Sequence, residues 1–255
     1  MRPVEIAESC QLVLLQALAT RVDPAAWALK GGANLRFFYA SERFSEDVDI
    51  DTFDIEPWAF QDRVDQTLAS DLIKRTLGIL GSRIDYVNAK ERSETKSKWV
   101  LGVRHPSEQE PVYTQIEVSH REYPYRAFAK VEPVPGAAVD RYAAAVRRPI
   151  FGHYLPRGAI AQKIDALAGR DIRQPRDVFD LDILFRAAPD ALARGDVDAS
   201  SLQVAITRTL EIGYDEYRAK VLSFIERDAL PIYEPVVAWE AMQMAVIERL
   251  EALLP

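Results

Sequence analysis

Cysteine occurs once in the 255 residues, at Cys10, so no intrachain disulfide can form. That usage fits a reducing compartment, and the cytoplasm is the expected location. Histidine occurs three times, at positions 105, 120 and 153, a scatter that excludes the close spacings of a zinc site. Long apolar runs are missing too. No stretch approaches the roughly 18 apolar residues of a membrane span. Glu5 and Glu8 interrupt the segment where the apolar core of a signal peptide would lie. Positive charge is not in excess: the formal net charge is −7. A globally basic nucleic-acid binder is therefore excluded, and any RNA site must be a local patch. No internal repeat or low-complexity tract is present.

The chain does have apolar mass. At 48% hydrophobic content it can build one large core or two small ones. Residues 3–21 predict a helix with Ile6, Cys10, Val13, Leu14 and Ala17 on one side, which makes Cys10 a small core residue. Asp23-Pro24 breaks it. A second helix is predicted from Glu56-Pro57 to about Leu80. Three strands follow, at residues 82–87, 98–104 and 111–120. The segment 121–156 carries five prolines (124, 133, 135, 149 and 156) and reads as a connecting region. Beyond it helices are predicted at 159–168, 177–187, 199–212, 215–227 and 235–254. The last has Trp239, Met242, Val246, Leu250 and Leu253 on one face, the pattern of a bundle core.

The most informative stretch is residues 27–53, WALKGGANLRFFYASERFSEDVDIDTF. Val48 and Ile50 alternate with Asp47, Asp49 and Asp51. On a strand that period places the three carboxylates on one face, successive ones about 6.6 Å apart at Cα. Crowded carboxylates repel unless a cation or protons offset them, and hard oxygen donors of this kind suit Mg²⁺. Upstream, Gly31 and Gly32 let a backbone approach a ligand closely. N–H groups at the start of the helix 33–39 would bind an anion. Phosphate cradle followed by metal-binding strand is the arrangement nucleotidyl transfer needs.

These residues carry a resemblance. LKGGANLRFF followed by RFSEDVDID is similar to the signature of the DNA polymerase β-like nucleotidyltransferases. It resembles more closely the GGAxL…RxSxDxD form of the AbiEii/AbiGii toxin family, which includes the MenT-type transferases of toxin–antitoxin systems. The resemblance implies an α/β fold: a small mixed sheet carrying the nucleotidyltransferase domain (residues 1–145), then a helical domain (146–255), with NTP and Mg²⁺ in a cleft between them. It implies transfer of a nucleoside monophosphate from an NTP to RNA, the tRNA 3′ end first among acceptors, with a cognate antitoxin as a further partner. It assigns metal to Asp47 and Asp49, and phosphate contacts to Gly31, Gly32, Arg43 and Ser45. It also makes Ser45 a phosphorylation target in toxin neutralisation, since added negative charge beside Asp47 would disfavour NTP binding. The third carboxylate of such folds comes from a neighbouring strand. That role, metal ligand or base, falls on Glu117, the only acid within its strand; a solvent-facing glutamate is the alternative.

In the second half, Lys163 sits beside Ile164 on an otherwise apolar helix, where a lysine either snorkels to solvent or meets an anion. K-x-x-A-L followed by RDxxDL resembles the later AbiEii motifs, which implies that Lys163 and Asp177 complete the active site, with Asp180 the competing acid. Asp177 as a helix cap near Pro175 is the plainer reading. Between residues 141 and 176 eight basic residues face two acids, a local +6 that is the expected RNA footprint. Two other readings stay open: transfer to a protein hydroxyl, and a nucleotide- or partner-binding module without turnover.

Overall fold

The computed structural model describes residues 1–121 and 124–255; positions 122 and 123, in the proline-rich stretch, lie outside the described residues. The chain divides into two compact units. One comprises residues 1–40 and 44–154, the other residues 41–43 and 155–255.

The first unit runs α1 (Pro3–Leu18), β1 (Trp27–Lys30), α2 (Gly31–Phe38), β2 (Asp47–Thr52), α3 (Pro57–Leu68), α4 (Asp71–Ile79), β3 (Arg83–Arg92), β4 (Lys96–Arg104), β5 (Val112–Ser119), β6 (Ala129–Pro133), α5 (Gly136–Val139) and β7 (Ile150–Tyr154). Its seven-stranded sheet has the order β3-β4-β5-β2-β1-β7-β6. β2 runs parallel to β5, and β1 parallel to β7. The other pairings are antiparallel.

Period-two alternation decides the core. Val48 and Ile50 of β2, Ile116 and Val118 of β5, and Trp99 and Leu101 of β4 are at most 1% exposed and join one apolar cluster with Leu12, Val13 and Leu15 of α1. Burying side chains of this size contributes roughly 1.5–3 kcal/mol each. Cys10 lies in that cluster, and burial pushes its thiol up to about 12. α1 is also tied to the strands by a buried amide. Gln11 Nε2 donates to the carbonyls of Ser45 and Glu46 and to Thr114 Oγ1.

Two expectations are corrected. The single helix over 56–80 is two helices, because Ser70 takes an extended conformation and its hydroxyl accepts from the Ile73 N–H, while Asp71 puts negative charge in the new first turn. The connecting region also contributes strands β6 and β7 to the sheet. β7 packs so tightly that a Cβ on Gly152 would stand 2.1 Å from the Trp27 carbonyl oxygen. Only glycine permits that approach.

The second unit is helical: α6 (Pro156–Gly169), α7 (Pro175–Ala187), α8 (Ala199–Glu211), α9 (Tyr214–Lys220), α10 (Leu230–Tyr233) and α11 (Val236–Ala252). Pro156 and Pro175 open their helices at the position where a missing N–H costs nothing. Trp239 and Met242 of α11 are buried as the sequence implies, and Trp239 stacks on Tyr217 at 4.4 Å. Residues 41–43 belong to this unit because Glu42 and Arg43 are bonded into it. The Glu226 N–H donates to the Glu42 carbonyl, the Tyr233 hydroxyl donates to the Glu42 carboxylate, and Arg43 bridges Ile225. Among the described residues no helix is long and apolar enough to cross a membrane.

Candidate active site

The three aspartates of β2 share a face but not a situation. Asp47 and Asp49 are half-buried, whereas Asp51 is wholly buried. Asp51 accepts from Lys30 Nζ at 2.5 Å and from the Tyr154 hydroxyl at 2.7 Å. A buried carboxylate with a cation and a hydroxyl on its two oxygens is a satisfied structural group. The exposed chemistry of the strand is thereby confined to Asp47 and Asp49.

Asp49 is held against the glycine pair. Lys30 and Asp49 are register partners across β1 and β2, so the first residue of α2 turns directly over the Asp49 side chain. Gly31 has φ +66°, and a Cβ added there would lie 2.4 Å from Asp49 Oδ2. Both the backbone conformation and the space require glycine. The missing side chain thus accommodates a carboxylate of the chain itself, beside the N-terminus of a helix.

Across the sheet the same row continues. Asp49 pairs with Glu117 of β5, and Glu117 pairs with Lys98 of β4. Lys98 Nζ donates to Glu117 Oε1 at 2.6 Å, and Lys96 Nζ stands 3.4 Å from Oε2. Burial alone would raise the Glu117 pKa, but the two lysines outweigh it and hold the carboxyl below its usual range. For Lys98, burial works against the charge; Glu117, then Asp47 and Asp49, reverse that and raise its pKa. Glu117 is therefore a half-buried carboxylate paired with two lysines. Among the described residues no three His, Cys, Asp or Glu side chains gather to hold a metal ion. Asp47 and Asp49 are two hard carboxylates on one face, and Mg²⁺ is commonly held by one or two carboxylates plus substrate phosphates. That donor pair fits Mg²⁺.

Ser45 lies at the entry to β2. Its hydroxyl donates to the Asp47 carbonyl at 2.8 Å and the residue is 7% exposed. A phosphoryl group there would have to break that bond.

Within the second unit, Lys163 meets an anion rather than solvent. Its ammonium lies 3.1 Å from Asp177 and 2.6 Å from Asp180. Both aspartates are 0% exposed and sit one turn apart on α7, so one lysine serves both. Arg43 completes the group: Nε and Nη2 donate to Asp180 at 2.9–3.1 Å, a fork on a carboxylate. Arg170 Nε stands 3.2 Å from Asp177. Burial would raise the Asp180 pKa, but Arg43 and Lys163 outweigh it and hold it low. The helix cap is Gln174, not Asp177.

No curated protein matches the chain. A crystal structure of JHP933 from Helicobacter pylori aligns with TM-score 0.63 at 16% identity, covering 98% of this chain and 94% of that one. A candidate nucleotidyltransferase from H. pylori aligns with TM-score 0.64 at 16% identity, covering 99% and 98%. At that identity the likeness is one of fold. The model of the family described as "Nucleotidyl transferase AbiEii toxin, Type IV TA system" matches residues 13–245. The chain belongs to the AbiEii family. It is accordingly a nucleotidyltransferase of a toxin–antitoxin type, and the α/β architecture with a mixed sheet is the one expected from its motifs.

Two features of this AbiEii chain carry little local signal. Lys96 and Lys98 belong to no motif, and only their period-two spacing in KSKWVLGVR places both on one face of β4. The basic segment, in turn, is not a bare +6 patch. Arg157 pairs with Asp196, Arg173 with Glu211 and Glu216, Arg170 with Asp177, Lys163 with both α7 aspartates, and Arg141 with Glu5 and Glu8. Acids distant in sequence fold onto the cations, which a linear charge count cannot register.

Proposed function

We propose that this AbiEii-family chain transfers a nucleoside monophosphate from an NTP to an RNA acceptor, with the tRNA 3′ end the first to test, using Mg²⁺ held by Asp47 and Asp49. The observation that carries the reading is the separation of the β2 aspartates: Asp51 is paired with Lys30 and Tyr154, while Asp47 and Asp49 stay half-exposed beside a glycine whose left-handed backbone and missing side chain make room for the Asp49 carboxylate. When bound, Mg²⁺ would supply charge neutralisation at the phosphates and a template for in-line displacement. Gly31 and Gly32, the first residues of α2, would offer backbone N–H groups to phosphate oxygens. The acceptor hydroxyl oxygen forms a bond to the α-phosphorus and its proton passes to solvent. The bond from the α-phosphorus to the β-bridging oxygen breaks, and its electron pair leaves with pyrophosphate.

RNA as acceptor and an antitoxin as partner are what the family resemblance implies, and a single cysteine fits work in a reducing cytoplasm. The test is incubation with each α-labelled NTP, total RNA and Mg²⁺, with Asp49→Asn in parallel. Label in small RNA with the native chain and none with the variant is expected. Label on protein, or no label with any NTP, overturns the RNA reading.

A further inference from the structure

The third acid of the carboxylate face is committed elsewhere. Glu117 Oε1 accepts from Lys98 at 2.6 Å and Oε2 faces Lys96 at 3.4 Å, so both of its oxygens already have a cation. A two-ion clamp on the attacking and leaving oxygens draws on carboxylates shared between the ions, and here no three such groups gather among the described residues. The register explains why. Lys98 stands directly opposite Glu117, and Glu117 directly opposite Asp49, on three adjacent strands. Cross-strand neighbours of this kind lie about 4.5–5.5 Å apart at Cβ, so the ammonium is delivered to the acidic face by strand pairing, not by a mobile loop.

We infer that the Lys98 ammonium takes the place of a second divalent ion, so that the site works with one ion on Asp47 and Asp49. This inference rests on the transfer reading above. In it Lys98 is a catalytic residue whose charge meets the negative charge growing on the departing pyrophosphate, and Glu117 is the positioning residue that aims it. Glu117 is then neither metal ligand nor base while Lys98 is present. A side chain only partly exposed, at 24% for Lys98, keeps enough stem packed to hold the head in place.

The experiment counts ions. Crystals of the full chain, of Lys98→Ala and of Lys98→Arg are soaked with Mn²⁺ and an NTP analogue that cannot be cleaved at the α-phosphorus, and Mn²⁺ is located by anomalous scattering. The native chain and Lys98→Arg are expected to show one ion, between Asp47 and Asp49. Lys98→Ala is expected to show a second ion on Glu117, with a transfer rate lower by about 10²-fold that high Mg²⁺ partly restores. Two ions in the native chain, or one in Lys98→Ala, overturn the inference while the transfer reading stands. No ion at Asp47 and Asp49 in any crystal overturns the reading beneath it.

Discussion

Asp49 Oδ2 lies within 2.4 Å of the point where a Cβ on Gly31 would stand. The glycine and the carboxylate define each other: one has no side chain because the other fills the space. Gly31→Ala combines a left-handed backbone, which costs an L-residue about 1–2 kcal/mol, with a clash that must push Asp49 aside. We expect the variant to be destabilised by about 1–3 kcal/mol in urea melts and to lose transfer activity beyond what its unfolded fraction explains. A stable, active Gly31→Ala would remove the contact from the mechanism.

The aspartates of β2 should respond to neutralisation in opposite ways. Asp49→Asn relieves repulsion on the half-exposed face, so thermal stability should hold or rise while transfer is abolished. Asp51→Ala deletes the acceptor for Lys30 and the Tyr154 hydroxyl and should cost about 2–3 kcal/mol, the scale of a buried charge-assisted hydrogen bond. Paired thermal melts and transfer assays decide it; retained transfer in Asp49→Asn would withdraw the metal role.

Lys163 offers a different contrast. With its ammonium on Asp177 and Asp180, both 0% exposed, Lys163→Ala leaves buried carboxylates short of a cation. We expect a loss of about 3–5 kcal/mol in chemical denaturation. Lys163→Arg should keep most of the stability. A lysine that merely snorkelled would cost far less, and an unchanged denaturation midpoint in Lys163→Ala would show that the pair does not form.

Between pH 7.5 and 5.5 two histidines contribute to the loss of stability. His120 and His153 are both held below the ordinary 6.5, chiefly by burial. The fold accepts the neutral rings, whereas the unfolded chain protonates at the ordinary value. Stability is therefore fully present above about pH 6.5 and declines as pH falls below it. Glu132, bonded to His153, is held below its usual range first by Lys130, so it stays ionised in this window. Urea midpoints at pH 7.5 and 5.5 should show the decline, and His120→Gln should flatten it; an identical slope would exclude His120 as a source.

Part of this protein is written locally. The alternation of Val48 and Ile50 with three aspartates, the Gly-Gly pair, and the family motif depend on residues within a few positions of one another, so periodicity and composition determine them without the rest of the chain. Most helices of the second unit and the buried face of α11 follow for the same reason, whereas the helix predicted at 215–227 stops at Lys220, where the chain turns so that Ile225 can bridge Arg43. Tertiary structure decided the rest. β7 becomes a strand only because Gly152 lets its backbone meet Trp27, a contact 125 residues apart in sequence. Asp51 separates from Asp47 and Asp49 only when Tyr154 and Lys30 arrive beside it. The basic run loses part of its excess when Glu211, Glu216 and Asp196 fold onto it. Lys98 reaches Glu117 through strand register. Charge is neutralised by whatever lies a few ångströms away, and a sequence lists neighbours along the chain, not across a sheet.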